Sequence, residues 1–505
     1  MMKKNIQIVI QSLLLLAAMV FVTSCEDFLD VNENPNDPPI STPNLTLPVA
    51  QQHFANLNGT EMTYLGNYFV YNWAVPSNWS ANQEMLRYTI TNGFYTMIFE
   101  ESYGEIFRNL TYIETYEDEE GIVDYSAYKI ISQVLKGFQY QYLVDLYGDV
   151  PYTEANQRAE NVTPIYDDAE TVYRSVIDSL TAAADLAMNM PNTYQDPGTA
   201  DIMFGGDMEL WAQFANTVKL RMLLRFSDTG QDNYIQEQIA LIDANGAGYI
   251  DADVVANPGY SSGTDQQSPF WDYVGYDEGG NRQDRNRLTV ATDYTISYLE
   301  DTNDPRLEYI YAPSADEGEY KGVYQSVELP GSGFTETLLS RVGPGLLKGP
   351  DQDQPIMLLA EALFLQSEAV VRGYIDGGDA EAKALYNEAI TASFDYLGVE
   401  ESVSDYYDQA IENVGWDASS DKIEAIITQK WVALNGTSSI ESWVELTRTG
   451  FPADLPTSNS STRGAGVYPV GLVYPASEYS RNSNNVPAKT TDDAFTQYPF
   501  WKGQN

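Results

Sequence analysis

Residues able to act as nucleophiles or acid–base catalysts are scarce in this chain of 505 residues, which has one cysteine, Cys25, and one histidine, His53. Residues 259–263 (GYSSG) match the Gly-x-Ser-x-Gly turn that presents the serine of many esterases. That turn needs a preceding strand, a following helix, and an acid and a histidine later in the chain. Here an Asn-Pro pair precedes the turn and His53 lies far upstream. We therefore interpret Ser261 as a loop residue and His53 as a structural residue.

Carboxylate side chains are abundant, with 73 Asp and Glu residues, and two opposed carboxylates are enough for glycoside hydrolysis. So many acids form pairs by chance, and no strand-end pattern indicates a hydrolase barrel, so a glycoside hydrolase is the less favoured alternative. Asp30, Asn32 and Asn34 have the spacing of a calcium loop, but Pro35 and Ser41 stand where an EF-hand requires Gly and Glu. The chain has neither a P-loop nor a dinucleotide fingerprint. We predict no enzyme activity, no cofactor and no metal site.

The N-terminal segment has the features of a lipoprotein signal. Two lysines precede an apolar run at 13–22 that is too short to span a bilayer. Residues 22–25 (VTSC) resemble a bacterial lipobox, in which the cysteine becomes the mature N-terminus and carries acyl chains. The segment that follows is rich in proline and turn-forming residues. We predict a signal peptide over 1–24, lipidation of Cys25, and a lipid-anchored flexible tether over 25–45.

The net charge of the chain is −46, which argues against binding of nucleic acid, because contacts to phosphates require clustered cations. The same charge argues against electrostatic docking on anionic lipid, so the lipid anchor must supply the membrane link. Hydrophobic residues make up 43% of the chain, enough for a large core, so disorder is not expected. The chain also has 37 Tyr and 8 Trp residues, an excess that suits a surface for a neutral, hydrogen-bonding ligand.

Apolar residues recur at three- and four-residue spacing through most of the chain, which predicts a mainly α protein. The predicted helical segments are 50–74, 94–116, 125–147, 168–188, 207–227, 287–300, 356–373, 380–397, 403–414, 420–434 and 439–448. Ser438 and Glu441 have the spacing of a capping box at the start of the last segment. Two of the segments share a small–aromatic–small stripe typical of tetratricopeptide helices, namely Ala169, Tyr173 and Val176, and Ala382, Tyr386 and Ala389.

Residues 46–505 are predicted to form a single helical domain whose helices are interrupted by long irregular loops. Long loops in a compact protein are usually functional, and these loops are rich in aromatic residues, so we expect them to form a ligand-binding face. The predicted parts are helical halves at about 46–244 and 287–449, loop insertions at 245–286 and 302–355, and a C-terminal segment, 450–505, that wraps the helical body.

Six stretches in a fixed order resemble the SusD/RagB family of Bacteroidetes outer-membrane nutrient-binding lipoproteins. They are YLVDLYGDVPYTEA (142–155), ELWAQFANTVKLRMLLRFSD (209–228), DPRL (304–307), PIMLLAEALFLQSEAVVRGY (355–374), ITQKWVALNGTSSIESWVELTRTGFP (427–452) and VYPASEYSRNSNNV (473–486). The resemblance implies a tetratricopeptide-like helical-repeat scaffold. It also implies a cell-surface protein that captures oligosaccharides, or in some branches peptides, and does no chemistry.

The same resemblance implies a partner and a location. Members of the family cover a SusC-like TonB-dependent transporter and are anchored in the outer membrane by the N-terminal lipid, facing the cell exterior. Glu26 and Asp27 resemble the surface-export signal of such lipoproteins. Within the signature stretches, we expect Arg221 and Arg225 to pair with carboxylates of the scaffold rather than with ligand, and Gly148 to end a helix in a left-handed cap.

Two segments outside the signatures, 71–84 and 268–286, combine aromatic and amide side chains in the way that glycan sites require. We predict that these segments converge on one exposed face. Trp211, Trp431 and Trp443 lie in regular helices and are predicted to be core residues. The predicted ligand-binding residues are Trp73, Asn78, Trp79, Asn82, Trp271, Tyr273, Tyr276, Asp277 and Arg282.

Overall fold

A computed structural model defines the protein over residues 41–118, 121–157 and 160–502. The predicted signal peptide, Cys25, the export signal and most of the tether lie outside the described residues. The first helix of the described residues begins at Pro43, inside the segment 25–45 that was predicted to be extended. Proline suits the first position of a helix, because its φ is already helical and the missing N–H would have no partner there.

Helices make up about half of the described residues and strands only a few, which confirms the predicted mainly α fold. Pro43–Leu57 (α1) and Thr63–Phe69 (α2) are joined by a π-helical segment, Asn58–Met62, and a second π-helical segment, Ser102–Phe107, precedes α5. The other helices are Gln83–Arg87 (α3), Met97–Glu101 (α4), Arg108–Thr115 (α5), Ser126–Tyr147 (α6), Ala169–Met188 (α7), Met208–Arg225 (α8), Asp232–Asn245 (α9), Pro269–Val274 (α10), Asp284–Leu288 (α11), Asp293–Asp301 (α12), Leu307–Ile310 (α13), Leu359–Val371 (α14), Gly378–Leu397 (α15), Val403–Tyr407 (α16), Lys422–Ala433 (α17), Ser439–Thr449 (α18), Ala476–Arg481 (α19) and Asp493–Thr496 (α20).

The two small–aromatic–small stripes lie on α7 and α15, and all six of their residues are buried. Helix α7 packs against α6 and α8, and α15 packs against α14. Small residues let neighbouring helices approach closely, and the aromatic residue fills the space between them. Gly148 ends α6 as expected, and its amide donates to the carbonyl of Val144 at 2.9 Å, but its φ of +83° and ψ of −121° are not those of the expected left-handed cap.

Short strands join segments that are far apart in the sequence. Six are described: Trp73–Ala74 (β1), Val254–Ala256 (β2), Val290–Ala291 (β3), Tyr311–Ala312 (β4), Arg341–Val342 (β5) and Gln354–Met357 (β6). One antiparallel sheet has the order β1-β3-β5-β4, and β2 pairs with β6. Trp73 pairs with Ala291 in this sheet. The pairing therefore places segment 71–84 beside α11, which immediately precedes β3.

A network of ion pairs is buried where α8, α14, α17 and α18 meet. Arg225 contacts Glu441 at 2.6 Å and Glu445 at 2.7 Å, and Arg221 contacts Glu361 at 2.9 Å. These side chains are at most 1% exposed. Buried charges cost several kcal/mol each, and these ion pairs offset that cost, although Arg221 Nη2 and Glu361 Oε2 have no hydrogen-bond partner among the described residues. The expectation that both arginines pair with scaffold carboxylates is confirmed.

The predicted capping box at Ser438 and Glu441 is wrong. Ser438 makes no side-chain cap hydrogen bond at the start of α18. The Glu441 side chain instead accepts from Lys430 at 2.9 Å and from Arg225 at 2.6 Å. A buried carboxylate gains more from two charged donors than from one exposed backbone N–H, so tertiary contacts decide its position.

Candidate functional site

A cleft of about 480 Å³ opens between the α2, α3 and α10–α11 regions of the fold. It draws one predicted residue from each of the two predicted segments, Asn82 and Tyr273. Asn82 has a left-handed backbone (φ +50°) immediately before α3, a conformation that asparagine tolerates better than most residues. The other lining side chains that the contacts below involve are Glu61, Tyr64 and Arg285.

Hydrogen bonds and aromatic contacts fix the walls of this cleft. The Tyr273 hydroxyl donates to Glu61 Oε1 at 2.9 Å, and the Asn82 amide donates to the Tyr64 hydroxyl at 2.8 Å. The Arg285 guanidinium carbon lies 3.6 Å from the centre of the Tyr273 ring, a cation–π contact. Burial and the nearby Glu61 carboxylate raise the pKa of Tyr273. Its phenol therefore stays protonated, as a hydrogen-bond donor, at neutral pH.

A second part of the candidate site, named the ligand face for its proposed role, consists of Asn78, Trp79, Arg287 and Glu336. The Trp79 indole N–H donates to Glu336 Oε2, and Arg287 Nε donates to Glu336 Oε1 at 3.0 Å. The backbone N–H of Glu336 donates to the Asn78 side chain at 3.0 Å. The Arg287 guanidinium carbon also lies 5.2 Å from the Trp79 ring centre. These contacts hold the half-buried indole in one orientation.

Glu336 carries its negative charge in this arrangement. Burial alone would raise the pKa of Glu336, but the hydrogen bonds from Trp79 and Arg287, together with the charge of Arg287, lower it below its usual value. The ionised carboxylate is the stronger acceptor. Glu336 therefore ties segment 71–84 to Arg287 on α11 at neutral pH.

Four predicted residues of segment 268–286 surround a tight turn. The Trp271 and Tyr276 rings pack with their centres 5.2 Å apart, and Tyr276 forms a β-bridge with Arg282. Arg282 Nε donates to Asn286 Oδ1 at 2.9 Å. Asp277 accepts the backbone N–H of Asn281 at 2.8 Å, which lowers the pKa of its carboxyl group. Asp277 thus caps its own turn.

The cleft and the ligand face adjoin each other along α11. Arg285 lines the cleft and Arg287 stacks over Trp79, and residues two positions apart on a helix face different sides. Arg282 interacts electrostatically with both Glu336 and Arg287. Asn82 of the first predicted segment and Tyr273 of the second line the same cleft. The structure brings the two predicted segments together.

The prediction that Trp73 binds ligand is wrong, because its side chain is completely buried. It lies on β1, and its ring centre is 5.6 Å from that of Tyr64 and 6.3 Å from that of Tyr68. A ligand on the surface cannot reach this ring. The core positions predicted for the helical tryptophans Trp211, Trp431 and Trp443 are confirmed.

Sequence reasoning missed several residues of the site. Glu61 and Tyr64 belong to the continuous first helical segment, and Arg285 and Arg287 lie on α11, so none stands in an aromatic-rich loop. Glu336 lies in the 302–355 insertion, which was predicted to be functional without any residue being singled out. The one available signal was the position of Arg285 inside the predicted 268–286 segment and of Arg287 immediately after it.

The residues of the esterase-like turn are engaged elsewhere. Ser261 Oγ donates to Gln266 Oε1 at 2.8 Å. The next helix after this turn begins only at Pro269, so the turn is not followed directly by a helix. His53 Nδ1 lies 3.8 Å from Glu101 and its Nε2 lies 3.8 Å from Glu105.

The candidate site offers aromatic faces, guanidinium groups and amides. Such groups bind a polar, ring-containing ligand by stacking and hydrogen bonding.

Comparison with known proteins gives the family. Residues 35–475 match the model of a SusD-like family described as "Starch-binding associating with outer membrane". The chain belongs to this SusD-like family. A comparison with curated protein sequences returned no significant match. None of the helices in the described part of the chain combines the length and apolarity that a bilayer crossing requires.

Solved structures share the SusD-like fold at low sequence identity. A SusD homologue from Bacteroides fragilis is 21% identical, with a TM-score of 0.71, over 92% of this chain and 100% of that chain. A SusD homologue from Bacteroides uniformis is 21% identical, with a TM-score of 0.70, over 91% of this chain and 99% of that chain. A chitin-binding SusD homologue from Flavobacterium johnsoniae is 20% identical, with a TM-score of 0.69, over 87% and 94%. The chain therefore has the helical SusD-like fold along nearly its full length.

Proposed function

We propose that this protein is a cell-surface lipoprotein that binds nutrient oligosaccharides or polysaccharides and delivers them, without catalysis, to a SusC-like TonB-dependent transporter. The observation that supports the proposal is the cleft that Asn82 of segment 71–84 and Tyr273 of segment 268–286 both line. The family description and the chitin-binding relative support a glycan as the ligand class.

The chemistry of the ligand face suits a sugar. Aromatic faces pack against the C–H surfaces of sugar rings, and half-buried Trp79 is held in place by Glu336 for that contact. Side-chain amides and guanidinium groups bond hydroxyls in fixed directions. Trp271, Tyr273, Asn78 and Asn82 stay proposed ligand-binding residues with them. Asp277 stays in the proposed set as well, although its present partner is its own turn.

Attachment and delivery form a separate part of the proposal. Cys25 would carry the lipid that holds the protein in the outer membrane, with the tether spacing the helical body from the lipid. The Cys25→Ser variant is expected to lose acyl labelling and to leave the membrane fraction, because no lipid then anchors it. A Cys25→Ser protein that still sediments with outer membranes would contradict this role. Co-purification of the native protein with a TonB-dependent transporter tests delivery.

Binding can be tested by titrating the protein against a panel of oligosaccharides and peptides. We expect at least one glycan to bind, and Trp79→Ala and Trp271→Ala to weaken that binding about tenfold, the value of one lost aromatic contact. Tyr498→Ala is the matched control, since Tyr498 is exposed at the surface, outside this site. Unchanged affinity in both tryptophan variants would disprove the site.

The same panel separates the alternatives. Binding of peptides but no glycan would indicate that the protein delivers a different nutrient to the transporter. Reducing ends released during incubation with a polysaccharide would show glycoside hydrolysis and overturn the non-catalytic role.

A further inference from the structure

A separate cavity of about 350 Å³ lies among α5, α6, α7 and the loop at 152–155. Among the described residues, it shares no lining residue with the cleft, and none of its lining residues belongs to the ligand face. Its volume is at the lower end of the range for small-molecule sites, about 300–1,000 Å³. The cavity therefore suits a ligand of about one sugar ring rather than a chain of rings.

The Tyr140 side chain presents an unpartnered hydroxyl group to this cavity. Tyr140 on α6 is only 2% exposed, and it lines the cavity. Within the described residues its hydroxyl makes no hydrogen bond but stays accessible to solvent, whereas the unpartnered Tyr173 hydroxyl on α7 is sealed from solvent. A hydroxyl group can both donate and accept a hydrogen bond, so a ligand in the cavity can use the Tyr140 hydroxyl for either.

Aromatic contacts and a fixed loop hold the Tyr140 ring in place. The Phe107 ring stacks on it with the ring centres 4.1 Å apart, and the Tyr152 ring meets it edge-on at 4.9 Å. The Asp167 carboxylate accepts the backbone N–H of Tyr152 at 2.9 Å and that of Thr153 at 2.8 Å. Groups held in this way lose little further freedom when a ligand binds, so the cavity is preorganised.

The other polar side chains of the lining are neutral or paired. Lys136 Nζ donates to Glu114 Oε2 at 2.6 Å and to Thr111 Oγ1 at 3.2 Å. Lys136 and Glu114 are the only charged side chains among the described lining residues, and their charges cancel. Tyr152 and Ser179 also line the cavity, and within the described structure their hydroxyls make no hydrogen bond. Such a lining matches an uncharged ligand that is rich in hydroxyl groups.

We propose that this cavity is a second binding site, for one uncharged polyhydroxylated ring such as a monosaccharide. The free hydroxyls of Tyr140, Tyr152 and Ser179 exchange hydrogen bonds with those of the ring, and the paired charges of the lining strengthen such bonds. Val176 and Ala155 give the cavity an apolar wall for C–H groups. The inference does not rest on the proposed function, because neither the cleft nor the ligand face takes part in it.

The test is a ligand-observed NMR titration of the full-length protein with uncharged probes, namely myo-inositol and the methyl glycosides of glucose, galactose and N-acetylglucosamine. We expect at least one probe to bind with a dissociation constant of about 1 mM, the affinity that about four net hydrogen bonds supply. Glucuronate and glucosamine are the charged counterparts. They should bind more weakly, because the lining has no net charge to offset theirs, and tighter binding of either one would contradict the proposed ligand class.

A matched pair of variants assigns the binding to this cavity. Tyr140→Phe and Tyr173→Phe each remove a hydroxyl that has no hydrogen bond within the described residues, so both should keep the native melting temperature. Tyr140→Phe is expected to weaken binding of the probe about fivefold, the value of one hydrogen bond, whereas Tyr173→Phe should leave it unchanged. Ser179→Phe, which places a ring in the cavity from α7, should abolish binding.

The outcomes separate this inference from the proposed function. Native affinity for the probe in both Tyr140→Phe and Ser179→Phe would overturn the second site. If Trp79→Ala abolishes binding of the probe, the ring occupies the ligand face, so the second site is wrong while the proposed function holds. If no uncharged probe binds at about 10 mM, ten times the expected dissociation constant, the cavity holds water only and the second site is wrong. The oligosaccharide panel decides the proposed function in each case.

Discussion

Glu336 is the single residue that joins most of the ligand face. Its carboxylate accepts from the Trp79 indole and from Arg287, and its backbone N–H donates to Asn78. The side chain of Glu336 is 7% exposed, whereas that of Arg287 is 44% exposed. Glu336 therefore positions the aromatic face without offering much surface to a ligand itself.

The Glu336→Gln variant tests this positioning role. A neutral amide accepts more weakly from Arg287 and the indole, so Trp79 should become less ordered. We expect glycan affinity to fall about fivefold, measured by titration calorimetry, with little change in melting temperature. Glu328→Gln on the same loop is the control, because Glu328 is exposed. Native affinity in the Glu336 variant would show that Trp79 needs no such anchor.

The types of residue in the predicted loops identified only part of the candidate site. Asn82 and Tyr273 were predicted because amides and aromatics in loops suit sugars, and both line the cleft. The prediction that Trp73 binds ligand was wrong. Trp73 lies in a two-residue strand that buries both of its residues, and so short a strand leaves no periodic pattern in the sequence. The role of Glu336 depends on a contact 257 residues away in the chain, which no local pattern reveals.

At the scale of elements, the approach of α2 to α18 depends on one glycine. A Cβ at Gly66 would overlap the backbone nitrogen of Ile440 and the carbonyl carbon of Ser439. Neither of these backbone atoms can move aside without shifting α18. Because α2 leads directly into β1, this contact also sets the position of the loop that carries Trp79.

The Gly66→Ala variant should therefore destabilise the protein by about 1–3 kcal/mol, the usual cost of overpacking. Thermal unfolding measures the effect. Gly104→Ala is the matched control, since Gly104 is helical and exposed and a Cβ there meets nothing within 4 Å. The control should match or exceed native stability, because alanine favours helix by up to about 1 kcal/mol. Equal melting temperatures for the two variants would refute the close approach.

Long helices were predictable because their apolar faces repeat over several turns. The segment predicted at 125–147 is Ser126–Tyr147, and that predicted at 168–188 is Ala169–Met188. The helix predicted over 403–414 ends at Tyr407, and Asn413 has a left-handed backbone (φ +61°). The two-residue strands could not be predicted, since their pairing joins distant segments such as Trp73 and Ala291.

For the whole molecule, the buried ion network links helices from both predicted halves of the chain. Arg225 on α8 contacts Glu441 and Glu445 on α18, and Arg448 contacts Glu368 on α14 at 2.7 Å. Burial raises the pKa of the neighbouring Asp145 to about 6, against the lowering effect of Arg225. The network therefore ties together helices that are far apart in the sequence.

The Glu441→Gln variant should be strongly destabilised, because Arg225 and Lys430 then lose a shared buried partner. Removing one member of a buried pair costs about 3–5 kcal/mol. Glu117→Gln breaks a surface pair with Lys129 in which Glu117 is 87% exposed, and it should be nearly neutral. Thermal unfolding of both variants checks the contrast, and similar melting temperatures would contradict the proposed importance of the network.

The most direct test of the central claim is a crystal structure of the protein with the oligosaccharide that binds it most tightly. The account predicts sugar density on the ligand face, with one ring against Trp79 and contacts to the Tyr276–Arg282 turn, while the helical body is unchanged. Sugar bound at a separate site, such as the cavity of about 310 Å³ that Asp149 and Lys489 line, with the ligand face empty, would contradict it.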